Sequence, residues 1–152
     1  MSEFGIGHVI LILAILYFVV RPIFRGYREG RNESPAGQPT IAGTGDFATE
    51  VVGESHYQGN LLALCGSRAP DGVHKYFVAT LVPEDANPHD PKAVSVDIES
   101  KTVGYLARPV ARVWREKNGS QRSLRCKAVV RGGWDRGADD KGHFGVWLDL
   151  PN

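Results

Sequence analysis

The sequence predicts a mainly β protein, built as a small β-barrel or strongly bent sheet with one helix and preceded by a single transmembrane helix. Three observations predict it. Several short segments rich in β-branched and aromatic residues follow Phe47, separated by clusters of Gly, Pro and Asp. One stretch has helical periodicity, and one apolar run near the N-terminus carries no formal charge. A chain of 152 residues has room for one domain with an appendage.

The apolar run extends from Phe4 to Val20 and contains one polar residue, His8. A run of about 17 to 25 apolar residues matches the hydrocarbon core of a bilayer. This run has no polar face of the kind that a helix on a globular surface shows. It also lacks the basic start and the small-residue cleavage site of a signal peptide. We therefore predict a transmembrane helix over residues 4–24 that contacts the lipid bilayer, with a buried core helix as the alternative.

The flanks of the apolar run predict its orientation. A single acid, Glu3, precedes it. Four arginines follow it: Arg21, Arg25, Arg28 and Arg31. The positive-inside rule then predicts a single-pass membrane protein with its N-terminus outside and its C-terminal domain cytoplasmic. Gly, Pro and small polar residues without periodicity predict a flexible linker over residues 25–46, followed by the β domain over residues 47–152.

The β domain divides into short elements. Strand patterns occur at residues 47–53, 76–82, 93–98, 102–106, 124–130 and 144–150. The third and fourth are separated by a short turn and predict a β-hairpin. The apolar segment Leu61–Cys65 is compatible with a strand or with one helical turn. The one helical pattern, Arg108–Lys117, has apolar residues at the i, i+3, i+4 spacing of an amphipathic helix.

A polar loop, Glu84–Pro91, leads into the predicted hairpin. It holds two prolines, an asparagine and three acids, which exclude a regular helix or strand. His89 beside Asp90 is compatible with a general base or a metal pair. Neighbouring residues of an extended segment point in opposite directions, however, and no third ligand follows at metal spacing. The alternative is structural: Asn87 shapes the turn, and Asp90 caps the loop through backbone N–H groups.

Positive charge is concentrated in one stretch of the chain. Between Lys101 and Arg131 the basic residues are opposed by a single acid, Glu116, although the formal net charge of the chain is only +1. One face of the domain can therefore be strongly positive. Two cysteines are too few for a disulfide framework or a thiolate metal site, and no P-loop, GxSxG, HExxH or CxxC motif occurs. We therefore predict no enzyme activity, no metal and no cofactor.

Two motifs resemble a known family. NPHDPKAVSV, at residues 87–96, followed by VGYL, at residues 103–106, closely resembles the central signature of the HIRAN domain. This small β module occurs in certain SWI/SNF-type repair helicases and in stand-alone bacterial proteins. VVGESHYQG, at residues 51–59, resembles the first motif of the same family. The resemblance implies a modified OB-like barrel with one helix. In the better-studied members, the barrel grips the 3′-hydroxyl end of single-stranded DNA.

By motif position, the resemblance implies a set of DNA-binding residues: His56, Tyr57, His89, Asp90, Tyr105, Arg108 and Phe144. His89 replaces an aromatic that stacks on the terminal base, and Asp90 is the acid that accepts a hydrogen bond from the end hydroxyl. Tyr105 stands where a polar ring lies near a phosphate, Arg108 where a lysine contacts phosphate, and Phe144 where a second base stacks. Ser55-His56 replaces a basic residue and a tyrosine, which removes a phosphate contact. The alternative for Tyr57, Tyr105 and Phe144 is packing in the core.

The sequence leaves three functions open. The first is a membrane-tethered nucleic-acid-binding module that captures the 3′ end of single-stranded DNA, with a role in DNA repair. The second is a membrane-anchored adaptor that binds a protein partner and no DNA; the predicted anchor motivates it. The third is a hydrolase built on His56, His89 and Asp90, which metal analysis and a nuclease assay would test.

Overall fold

Six antiparallel strands form a closed barrel in the order β1-β4-β3-β2-β5-β6. The computed structural model describes residues 38–119 and 123–151. The prediction of a mainly β barrel is confirmed. The predicted transmembrane helix, residues 4–24, lies outside the described residues, as does most of the predicted linker. Within the described residues, no helix has the length and apolar character to span a bilayer.

The predicted strands form at nearly the expected positions. They are β1 (Thr49–Val52), β2 (Val73–Pro83), β3 (Val94–Ile98), β4 (Lys101–Leu106), β5 (Leu124–Gly132) and β6 (Phe144–Asp149). Alternate residues point into the barrel, as in any pleated strand. In β2, for example, Ala79 and Leu81 are fully buried while Tyr76 and Val78 are exposed. This alternation places one apolar core inside the barrel.

The described residues contain two α-helices and a 3₁₀ turn, where one helix was predicted. The helices are α1 (Gln58–Cys65) and α2 (Arg108–Asn118), and the 3₁₀ turn is Glu54–Tyr57. The segment Leu61–Cys65, which was compatible with a strand or a helical turn, therefore belongs to the helix α1. Leu61 and Cys65, four residues apart, are both buried against the barrel, as one face of a helix requires.

The segment before β1 is attached to the barrel. The N–H of Ile41 donates to the carbonyl of Arg125 over 2.7 Å, and the N–H of Arg125 donates to the carbonyl of Pro39 over 3.0 Å. The N–H of Gly45 donates to the carboxylate of Asp149 over 2.7 Å. Because Ile41 also packs against the core, this part of the predicted linker belongs to the folded domain.

Beyond the point where β1 stops pairing with β6, the side chains of Gln58 and Glu54 form hydrogen bonds with the backbone of β6. The two strands pair at only two positions, Thr49 with Leu148 and Glu50 with Trp147. After β1, Gly53, with φ 81°, turns the chain into the 3₁₀ turn. Beyond that point, Nε2 of Gln58 donates to the carbonyl of Phe144, and Oε1 accepts from the N–H of Phe144, both over 2.9 Å. Glu54 Oε1 accepts from the N–H of Val146 over 3.5 Å. Side chains thus take the place of a neighbouring strand and hold the 3₁₀ turn on β6.

We expect Gln58→Leu to lower the free energy of unfolding by about 2 kcal/mol, because both backbone groups of Phe144 lose their partner. Urea denaturation followed by circular dichroism measures the change. The matched control is Asn60→Leu in the same helix, which removes a single hydrogen bond to the carbonyl of Thr102. An effect of Gln58→Leu no larger than that of Asn60→Leu would contradict the closing role of Gln58.

Candidate nucleic-acid interface

The loop between β2 and β3 is held in shape by its own side chains. Asn87 Oδ1 accepts hydrogen bonds from the N–H groups of His89, over 2.9 Å, and Asp90, over 3.2 Å. Asp90 Oδ1 accepts from the N–H of Lys92 over 2.9 Å. Asn87 also donates to the carboxylate of Glu84 over 2.8 Å. The structural roles predicted for Asn87 and Asp90 are confirmed, and they leave the second carboxylate oxygen of Asp90 outside the loop's own hydrogen bonds.

That second oxygen faces α2. Asp90 Oδ2 lies 3.7 Å from Arg108 Nε and 3.5 Å from Arg112 Nη1. The two arginines are four residues apart and so lie on one face of the helix. The N–H of Lys92, and then the guanidinium groups of Arg112 and Arg108, hold the pKa of Asp90 below its usual value. The carboxylate is therefore ionised at neutral pH and acts only as a hydrogen-bond acceptor.

The basic residues of α2 have different roles. The side chain of Arg108 is 75% exposed, whereas that of Arg115 is 9% exposed. Arg115 donates to the carbonyl of Pro91 over 2.8 Å and pairs with Asp85. It therefore fixes the helix to the loop. These contacts give Arg115 a structural role.

Two tyrosines lie beside this loop. Tyr57, from the 3₁₀ turn, and Tyr105, from β4, are both half-buried, and their ring centroids are 6.3 Å apart with the planes tilted by 50°. The hydroxyl of Tyr105 donates to Glu84 Oε2 over 3.4 Å. Glu84 thereby connects the loop to the tyrosine pair. Neither ring is enclosed in the core, so both have surface that a ligand can contact.

Both predicted histidines are exposed. His56 lies in the 3₁₀ turn beside Tyr57. His89 lies in the loop, where its backbone N–H is held by Asn87. Its imidazole forms no hydrogen bond within residues 38–119 and 123–151, so its ring is available to a ligand.

Phe144 differs from the other predicted site residues because it lies inside the barrel. It is 2% exposed and belongs to the hydrophobic core. The guanidinium of Arg68 lies 4.9 Å from its ring centroid, and a side chain at Gly133 would collide with the ring. Phe144 therefore has the core position that was stated as its alternative role. Its ring has no open face on which a base could stack.

The structure therefore brings together most of the predicted residues and adds two that the sequence did not single out. We call this set the Asp90 surface: Tyr57, Glu84, His89, Asp90, Tyr105, Arg108 and Arg112. Arg112 had a recognisable signal, since it follows Arg108 by four residues on a predicted helix. Glu84 had none, because its contact with Tyr105 joins residues 21 apart in the chain. In the described part of the chain, no group of three or more His, Cys, Asp or Glu is placed to hold a metal ion.

Comparisons of the chain with protein-family models, with curated proteins and with solved structures give no match. What the Asp90 surface binds is therefore inferred from its geometry and from the motif resemblance.

Proposed function

We propose that the Asp90 surface binds the 3′-hydroxyl end of single-stranded DNA, on an OB-like barrel of the HIRAN type. The proposal includes the predicted membrane helix as a tether and places the barrel in the cytoplasm. One observation carries it: an ionised carboxylate lies 3.7 and 3.5 Å from two arginines, of which Arg108 is largely exposed. At a 3′ end, the terminal nucleotide carries a free hydroxyl donor on its 3′ side and a phosphate on its 5′ side. The carboxylate matches the hydroxyl and the arginines match the phosphate.

The arginine contacts of Asp90 suit an exchange of partners. At 3.5 and 3.7 Å they are longer than a good charge-assisted hydrogen bond. The two arginine side chains, 75% and 45% exposed, are open to solvent that weakens the pairing. A phosphate can therefore draw Arg108 and Arg112 away at small cost. Asp90 Oδ2 then becomes free to accept from the end hydroxyl. A terminal phosphate in the hydroxyl's place would meet the Asp90 carboxylate as a like charge.

Exposed rings supply the rest of the interaction. His56, His89, Tyr57 and Tyr105 all have accessible surface, and a base stacked on an aromatic side chain gains about 1–3 kcal/mol. Phe144 is not needed in this arrangement. The tyrosine pair, with ring centroids 6.3 Å apart, offers contact for bases next to the strand end.

Fluorescence anisotropy of the full chain with 3′-hydroxyl and 3′-phosphate strands at several salt concentrations tests the proposal. We expect tighter binding of the 3′-hydroxyl strand and an affinity that falls as salt rises. We expect Arg108→Ala and Arg112→Ala each to reduce the salt slope by about 0.7, because each removes one phosphate contact to a single strand.

The control is Lys127→Ala, which removes an exposed cation on β5, outside the Asp90 surface. It should leave the salt slope nearly unchanged. If Arg108→Ala, Arg112→Ala and Lys127→Ala all have the same salt slope, the strand is bound by the overall charge and not by the Asp90 surface. If the 3′-hydroxyl and 3′-phosphate strands bind with equal affinity, the protein does not recognise the strand end.

The second candidate is the protein-binding adaptor, which one observation favours. Val110 and Val113 of α2 are exposed, and exposed apolar groups on a helix are a common feature of protein contacts. This function predicts no salt-dependent binding of oligonucleotides. It also predicts that a defined partner is lost on Val113→Ser, whereas Asp90→Asn leaves it bound.

A further inference from the structure

A second concave surface lies on the outer face of β5 and β6. It is a groove of about 500 Å³, which we call the Arg131 groove. The residues that line it include Glu50, Glu54, Arg131, Trp134, Gly145 and Trp147. Of the predicted DNA-binding residues, only the buried Phe144 contributes to its lining. The groove is therefore distinct from the Asp90 surface, from which the 3₁₀ turn separates it.

The aromatic walls of the groove lie close against the backbone of two glycines. The ring of Trp147 lies over Gly145, and that of Trp134 lies against Gly142; a side chain at either glycine would collide with the ring. The indole N–H of Trp134 donates to Asp140 over 2.8 Å. Two large flat surfaces therefore lie in the groove before any ligand binds, and a preformed surface lowers the entropy cost of binding.

The groove contains two charged side chains of opposite sign, Arg131 and Glu54. Arg131 Nε is buried and has no hydrogen-bond partner within the described residues. The Arg131 guanidinium stacks on Trp147 at 5.3 Å from the ring centroid. Glu54 is half-buried, and this burial raises the pKa of its carboxyl. Neither Glu54 nor Arg131 forms an ion pair in the part of the chain that the structure describes. Because the guanidinium lines the groove and pairs with no carboxylate in the described residues, an acceptor on a ligand can receive hydrogen bonds from its other N–H groups.

These groups define the ligand's chemistry. It must be flat to lie on an indole, it must offer an acceptor to Arg131, and it must offer donors to a carboxylate. Guanine has this pattern, because its O6 acceptor stands beside the N1–H and N2–H donors, and a carboxylate accepts two adjacent donors at once. Adenine and cytosine each place an amino donor beside a ring acceptor, which the second carboxylate oxygen would repel. We propose that the Arg131 groove binds a guanine base, from a free nucleoside or from a nucleic-acid strand.

Isothermal titration calorimetry of the full chain with guanosine, adenosine and cytidine tests this. Guanosine should bind about tenfold or more tightly than the other two, the discrimination typical of a bidentate base contact. Its affinity should be almost independent of salt, since a nucleoside carries no phosphate. Glu54→Gln should remove the preference: the amide oxygen still accepts from Val146, so the fold is retained, but one acceptor for guanine becomes a donor. The control, Glu116→Gln on α2, should bind guanosine as the unchanged protein does.

Guanosine bound no more tightly than adenosine, or bound equally well by Glu54→Gln, would overturn the inference. Two strands, one of thymines and one with a single guanine, distinguish the source of the base. If guanosine binds preferentially, and the guanine strand also binds more tightly than the thymine strand in a way that Glu54→Gln removes, the natural source is a nucleic acid. If guanosine binds preferentially and the two strands bind equally, the source is a free nucleoside. The inference does not rest on the proposed function, because Asp90→Asn should leave guanosine binding unchanged while it alters 3′-end binding.

Discussion

Asp90→Asn should abolish the preference for a 3′-hydroxyl over a 3′-phosphate end. Asparagine keeps an oxygen that accepts from the N–H of Lys92, so the loop should persist, but it removes the negative charge that faces the strand end. We expect affinity for the hydroxyl strand to fall by about tenfold to a hundredfold, the effect of losing a hydrogen bond to a charged group. Affinity for the phosphate strand should rise, because a like charge is removed. Anisotropy titrations with both strands measure this.

The matched control is Asp85→Asn in the same loop. The Asp85 carboxylate faces Arg115 and not the exposed arginines, so its removal should preserve the preference between the two ends. If Asp90→Asn and Asp85→Asn change both affinities equally, the loop acts only through its total charge. Recognition of the end hydroxyl would then be excluded.

Phe144→Ala should lower the free energy of unfolding by about 3–5 kcal/mol, the usual cost of truncating a buried aromatic side chain. The reason is its position: Phe144 is 2% exposed inside the barrel. Phe144→Leu retains most of the apolar volume and should bind the strand as the unchanged protein does. Urea denaturation and anisotropy together separate the two roles.

Tyr57→Leu is the opposite case. Tyr57 is half-buried and packs at 6.3 Å from Tyr105 on the surface, so its replacement should weaken strand binding by about tenfold, as loss of a stacked base does. Its effect on stability should be smaller than that of Phe144→Ala. A loss of strand binding in Phe144→Leu comparable to that in Tyr57→Leu would show that Phe144 contacts the strand after all.

Much of the barrel could be predicted from local sequence. β2 and the β3–β4 hairpin carry β-branched residues in a near-alternating pattern, and α2 has clear helical spacing, so each was identified close to its observed position. The segment Leu61–Cys65 was ambiguous because a run of five apolar residues fits either period. Its helix begins at Gln58, outside the apolar run, and only contact with the barrel decides between the two.

The site was predicted less completely. The motif resemblance assigned Phe144 to DNA binding, but in β6 it shares the inner face with Val146 and Leu148, and all three are buried. The contacts of Gln58 with Phe144 were not predictable, because they join residues 86 apart in the chain through a side chain. The missing hydrogen-bond partner of Arg131 Nε within the described residues is similar: it depends on what lies around the guanidinium in three dimensions, and no local pattern encodes that.

The attachment of the 3₁₀ turn to β6 depends on the side chains of Gln58 and Glu54, so it can change by substitution. A continuous backbone ladder can be altered only by rebuilding a strand, whereas each of these contacts depends on one side chain. Substitution at either position can therefore stiffen or loosen the turn that carries Tyr57 without disturbing the interior of the barrel. Substitutions during evolution can therefore change how strongly the 3₁₀ turn is held on β6 while the six strands stay the same.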